Sequence, residues 1–270
     1  MKRYLSLVTA GALTLSLIVP AMAQAQDVTA AASSTTASNS AAKCDARTAK
    51  AQLNLEQKRA DADAKLARVR ADADAKLQKL HADQDARSAQ RWADNDAKLQ
   101  KQRETRDLKG YSSDALKSAV ATYRAAVDSA IKARRDAITK AHSTFVTTQN
   151  TALTTRRAAV DAAIAARKAA VDAAFAVWQT RCSGSAAERQ AANKAFSDAV
   201  KAAQQASKTA IDAAFTAFRT TMATARTTRD TAVKTANATY KQAVTTAMNA
   251  LKAAKAALKQ AATAATSTQQ

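Results

Sequence analysis

Apolar residues recur along this chain at helical spacing. In the middle third they are Val127, Ile131, Ile138, Leu153, Val160, Ile164, Val171 and Phe175. In the last third they are Phe196, Val200, Ile211, Phe215, Phe218, Met222, Val233, Tyr240, Val244, Met248 and Leu251, and in the segment before Gly110 Leu55, Leu66, Val69, Leu77, Leu80 and Leu99. Such spacing gives each helix one buried stripe. Beneath it lies an eleven-residue repeat: ADADAKLARVR from Ala60, ADADAKLQKLH from Ala71, ADQDARSAQRW from Ala82 and ADNDAKLQKQR from Ala93. The same period returns in RAAVDSAIKAR from Arg124, RAAVDAAIAAR from Arg157, KAAVDAAFAVW from Lys168 and KTAIDAAFTAF from Lys208. Eleven residues over three turns slightly exceed the period of a straight α-helix, so the stripes predict a right-handed or nearly straight bundle.

Helix breakers divide the repeat region. Beyond Pro20 the chain has no proline, and its only remaining glycines are Gly110 and Gly184. Ser185 and Glu188 form a capping-box pattern after the second glycine, and Ser112 or Ser113 can cap a helix after the first. The sequence therefore predicts an all-α fold, an elongated antiparallel three-helix bundle of coiled-coil type over 43–262, with helices at 43–109, 113–182 and 185–262. Tight turns make neighbouring helices antiparallel. Each would be roughly 100 Å long at 1.5 Å per residue. Aspartates four residues before a base (Asp61 with Lys65, Asp72 with Lys76, Asp83 with Arg87, Asp94 with Lys98) add about 0.2 to 0.5 kcal/mol each to the first helix.

The start of the chain reads differently. Lys2 and Arg3 precede an apolar run from Leu5 to Val19, then Pro20 and small residues that suit cleavage after Ala23 or Ala25. This is the layout of a secretory signal peptide over 1–23, and the run is too short for a span of about 20 residues. Residues 24–42, rich in Ala, Ser and Thr, predict a flexible lead, and 263–270 a disordered tail. The expected mature protein is exported, periplasmic or extracellular and in some settings surface-associated, with no transmembrane segment.

Formal charge is +20. It divides into roughly +5, +6 and +8 over the three helical segments, so the excess is spread and not gathered in a tail. Charge of this size attracts polyanions without naming one. Candidate anion contacts are Arg91, Arg226, Arg229, Lys234, Lys241, Lys252, Lys255 and Lys259. Three of these belong to polar interruptions of the stripes: Gln84, Ser88, Arg91 and Asn95 in helix one, and Arg226, Arg229 and Asn237 in helix three. These fall at one height, with His142 and Gln149 near it, and predict a hydrated, weakly packed waist.

Catalytic chemistry finds little purchase. His81 and His142 are the only histidines and the two cysteines are far apart, so no metal-ligand spacing, phosphate loop or nucleophile elbow is present. Paired aspartates such as Asp61 and Asp63 point to different sides of a helix. Trp92 and Trp178 fall beside the stripes and read as buried. The expectation is a chain without catalytic, cofactor or metal residues, and without a small-molecule substrate. Cys44 and Cys182 come level to within about one turn when helix two folds back on helix one, and export permits a disulfide between them.

Two surface features complete the reading. Thr209, Thr216, Thr220, Thr224, Thr227, Thr231 and Thr235 line the face of helix three opposite its apolar stripe; Thr147, Thr151, Thr154, Ala158, Ala162, Ala165 and Ala169 do so on helix two. Over short stretches this spacing resembles the single-helix antifreeze proteins of fish, without their regular threonine per repeat; a self-association face is the plainer expectation. Eleven-residue amphipathic units are also similar to those of exchangeable apolipoproteins, which implies lipid contact if the bundle opens. The leading expectation is an exported, non-enzymatic structural or interaction protein, a rigid spacer or scaffold. The alternative is a nonspecific binder of nucleic acid, acidic polysaccharide, cell-wall material or anionic membrane surfaces.

Overall fold

In the computed structural model the described residues are 34–267, with side chains described from 42 to 264. The expected signal peptide and its cleavage site lie outside them. Three helices make up the fold: α1 Ser34–Asp107, α2 Asp114–Arg181 and α3 Ala186–Ser267. They pack against one another as an all-α three-helix bundle, with no strand among the described residues.

Four of the six expected helix ends agree to within about two residues, and the outer two do not. Helix α1 begins at Ser34, inside the expected lead, and α3 runs to Ser267, into the expected tail. Both extensions are rich in Ser, Thr and Ala and free of glycine and proline, so no breaker stops the helix.

Both turns follow the sequence. Gly110 takes φ 70°, the left-handed conformation that ends α1. Ser113 Oγ then accepts from Leu116 N at 3.2 Å to cap α2. At the second turn Ser185 Oγ accepts from Glu188 N, while the Glu188 carboxylate accepts from Ser185 N at 2.7 Å. A side chain at Gly184 would meet that carboxylate at 2.5 Å, so glycine makes room for the cap.

Nine of the buried positions are alanines, and they keep the eleven-residue spacing along each helix. Ala130, Ala141, Ala152 and Ala163 are buried on α2, and Ala192, Ala203, Ala214, Ala236 and Ala247 on α3. Small side chains on facing stripes let helix axes approach closely. Larger residues fill the adjoining rows: Val127, Ile164, Val171 and Phe175 on α2, and Val200, Phe218 and Met222 on α3. Burial of each such side chain contributes about 1.5 to 3 kcal/mol. The stripe leucines of α1 are only half-buried, Leu53 is exposed, and Val69 and Met248, expected on the stripes, are exposed at 38% and 41%.

Contacts group the chain into two compact units, each drawn from all three helices. Unit one comprises the chain up to Asp94 with Ala163–Lys208, and unit two Asn95–Ala162 with the chain from Thr209. In unit one, Phe175 stacks on Trp178 at 5.5 Å, Phe196 meets both rings, and Ala51 of α1 packs on the cluster. Val171, Val200 and Ala203 pack with Leu55 alongside. The Trp178 indole N–H is satisfied by Asn193 Oδ1 at 2.7 Å. Cys44 and Cys182, with Cα atoms 5.9 Å apart, are joined by a disulfide in this unit. In unit two, Ala152, Phe218 and Met222 form the core with Phe145 and Leu153.

Candidate functional site

Charged groups on α1 and α2 meet as reciprocal ion pairs on the eleven-residue spacing. In unit two Asp96 receives Arg135 and Asp107 receives Arg124, each through both terminal guanidinium nitrogens. The opposite polarity joins Arg103 to Asp128 at 2.6 Å. Unit one repeats both senses: Lys168 meets Asp63 at 2.6 Å, and Arg59 meets Asp172 at 2.7 Å while also reaching the Lys168 carbonyl.

The repeat explains this pattern. Asp63, Asp96 and Asp107 lie whole multiples of eleven apart, as do their partners Lys168, Arg135 and Arg124. Asp63 is the second aspartate of its ADAD unit and is the one that reaches α2, although it and the first, Asp61, are both exposed. The cations are more covered than their acids, 18 to 30% exposed against 47 to 55%. Their stems therefore cover apolar surface while the heads reach solvent-facing carboxylates. Arg124 and then Tyr111 hold the Asp107 carboxyl down at about 2, and Arg135 holds Asp96 below its ordinary value. Exposed pairs add little stability singly. Their repeated geometry fixes which helix meets which, and at what register.

A second set of cations sits against rings. In unit two Arg134 lies over Tyr240 at 5.2 Å and donates from Nε to Asn237 Oδ1 at 2.7 Å. Arg156 lies over Phe215 and Phe218, at 4.9 and 4.5 Å. Arg229 covers Phe145 at 4.7 Å and pairs with Asp230. Each ring attracts the cation lying over its face. Arg229 and Asn237, read from the sequence as polar interruptions of helix three, thus have partners of their own.

The remaining candidate contacts differ in setting. Arg91 is exposed and donates to the Arg87 carbonyl at 3.2 Å, while Arg226 is half-buried. Gln84, Ser88 and Arg91 belong to unit one, Asn95, Arg226, Arg229 and Asn237 to unit two. Lys234, Lys241, Lys252, Lys255 and Lys259 are all exposed. Their spacing along α3 puts all five on one side of the helix. No acidic residue follows Asp230 in the chain. Among the described residues none of the five joins an ion pair. The threonine rows of α2 and α3 are exposed throughout, as expected; Trp178 is buried and Trp92 half-buried.

An open hollow of about 930 Å³ borders the first turn, lined by Asp107, Tyr111, Lys117, Arg124 and Asp128. Tyr111 donates its hydroxyl proton to Asp107 and accepts from Arg124, so these charges compensate one another. The sequence reading missed this cluster. Its signal was the aspartate row of α1, which reaches the turn as Asp107.

Among the described residues no helix is long and apolar enough to cross a membrane, and no three His, Cys, Asp or Glu gather as metal ligands. Comparison with protein-family models, curated proteins and solved structures finds no match to this chain.

Proposed function

We propose that the chain is an exported, non-enzymatic structural or interaction protein, a helical spacer or scaffold working outside the cytoplasm. The observation that carries this reading is the use of charge. Interhelical pairs such as Asp63–Lys168 and Asp96–Arg135, and the arginines seated on Phe145, Phe215 and Tyr240, are spent on holding helix to helix. Side chains committed to pairing and packing give a persistent scaffold and leave few groups to converge on a substrate. The Cys44–Cys182 bridge adds a clamp that an oxidising compartment would preserve. Export is supported by the charged, apolar and small-residue layout of the first residues. N-terminal sequencing of the protein recovered from outside the cytoplasm tests it: a start at Gln24 or Gln26 is expected, and a start at Met1 contradicts it.

The lysine side of α3 favours a second reading, retention of anionic polymers through summed charge. Such binding falls steeply with salt and ignores polymer sequence. Retention on immobilised DNA of unrelated sequences and on an acidic polysaccharide, measured across salt concentrations, separates the readings. No retention at low salt leaves the scaffold alone. Parallel, salt-sensitive retention on all polymers supports the second reading, and salt-resistant retention on one contradicts both.

A further inference from the structure

Arg167 departs from the pattern of the arginines in its own row, Arg134 and Arg156, which lie over rings of α3. It continues the α2 row that holds Arg134 and Arg156, one repeat beyond Arg156. Where those two arginines meet rings on α3, the register gives Arg167 only polar partners. Carried one repeat along from the Trp178–Phe196 contact, it puts Ser207 opposite Arg167, and carried along from Trp178–Asn193 it puts Gln204 there. Neither has a ring. Among the described residues Arg167 has no ion pair or hydrogen bond.

Its surroundings add neutral polar groups and no carboxylate of its own. Ser207 is only 5% exposed, and its hydroxyl has no hydrogen-bond partner. Such a buried group ordinarily finds one. Burial holds the Arg167 guanidinium below its ordinary value; the charge of Arg59 acts in the same direction, and Asp63 opposes both. Asp63 is already taken by Lys168 and Asp172 by Arg59. Counting Arg59, Arg167 and Lys168 against Asp63 and Asp172, this level of unit one retains one positive charge.

We infer that Arg167 and Ser207, with Gln204 beside them, form a site for a small inorganic anion, chloride being the simplest. The guanidinium supplies the charge, and the Ser207 hydroxyl and Gln204 amide supply neutral donors. A single anion neutralises the level and satisfies the buried hydroxyl. The site is distinct from the lysine side of α3, which lies on residues of unit two.

The test uses the full chain and sodium chloride, with gluconate holding ionic strength constant. Chloride-35 NMR should show line broadening that saturates in the wild type. Arg167→Met, folded by circular dichroism, should lose it, whereas the variant with Lys234, Lys241, Lys252, Lys255 and Lys259 changed to Gln should keep it. Stability gives an independent readout. A ligand bound only by the folded state raises the folding constant by 1 + [L]/Kd, about eleven-fold at ten times Kd. Ser207→Ala should be at least as stable as wild type without chloride, because the unpartnered hydroxyl is gone, and should lose that advantage as chloride rises. Equal broadening in wild type and Arg167→Met, absence of saturable broadening, or a Ser207→Ala effect independent of chloride would each overturn the assignment.

Discussion

Removing the Cys44–Cys182 bridge should lower stability without changing the helices. The bond spans 138 residues of sequence. On the chain-entropy relation a loop of that length restricts the unfolded chain by about 17 cal/mol/K, or about 5 kcal/mol at 25 °C, an upper figure. Over the roughly 230 residues in helix and turn, unfolding entropy of about 2.1 cal/mol/K per residue converts this into a midpoint change of up to about 10 °C. Replacing both cysteines with alanine isolates the effect, because Cys44 is buried and Cys182 half-buried, and losing one sulfur leaves little void at either. Thermal unfolding by far-ultraviolet circular dichroism, with and without reductant, is the assay. The wild type should fall toward the double variant when reduced, and the variant should ignore reductant. Identical midpoints would refute the argument, as would two titratable thiols in unreduced, denatured protein or a covalent dimer on a nonreducing gel.

Further outcomes follow from the alanine rows, the ion pairs and the lysines. Ala192→Leu, at a position 3% exposed, should cost about 1 to 3 kcal/mol in urea unfolding through overpacking, while Ala162→Leu on the exposed side should cost almost nothing. Asp96→Arg should destabilise and Arg135→Asp added to it should restore stability; failure of the pair to rescue would show that these residues do not meet. The Asp107 carboxyl is depressed to about 2, so its contribution is present above the ordinary carboxylate range and is lost as pH falls through about 2. Its carbon-13 carboxyl resonance should titrate there, and a midpoint near 3.8 would exclude the Arg124 contact. Changing the five lysines to glutamine should weaken retention on DNA stepwise without lowering the unfolding midpoint, because all five are exposed.

Much of the helical plan was legible because glycine, proline and capping residues are so sparse that each one marks a boundary. Gly110, Gly184, Ser113 and the Ser185–Glu188 box act where the pattern placed them. The eleven-residue period was visible in ADADAKL, and the level cysteines followed from folding back at Gly110. Alanine concealed the rest. Ala130, Ala141, Ala152 and Ala163 mark the buried centre of α2, yet hydropathy cannot separate them from the exposed alanines between them; only their exact period does. The aspartates misled in a similar way, since a base four residues on suggests a bond within α1. Asp83 instead meets Lys79 and Asp94 meets Gln90, still within α1, while Asp63 and Asp96, with no base four residues on, reach across to α2. Interhelical register decides which aspartates cross to α2, and no pair within one helix encodes it.

Isotope-filtered methyl and aromatic nuclear Overhauser spectroscopy on mixed labelled and unlabelled protein tests most directly whether one chain folds its three helices together in this eleven-residue register. Contacts from Val171 to Val200, from Ala152 to Met222, and from the Trp178 ring to Phe196 are expected within a single chain. The same contacts appearing between labelled and unlabelled chains, or moved by one helical turn, would contradict it.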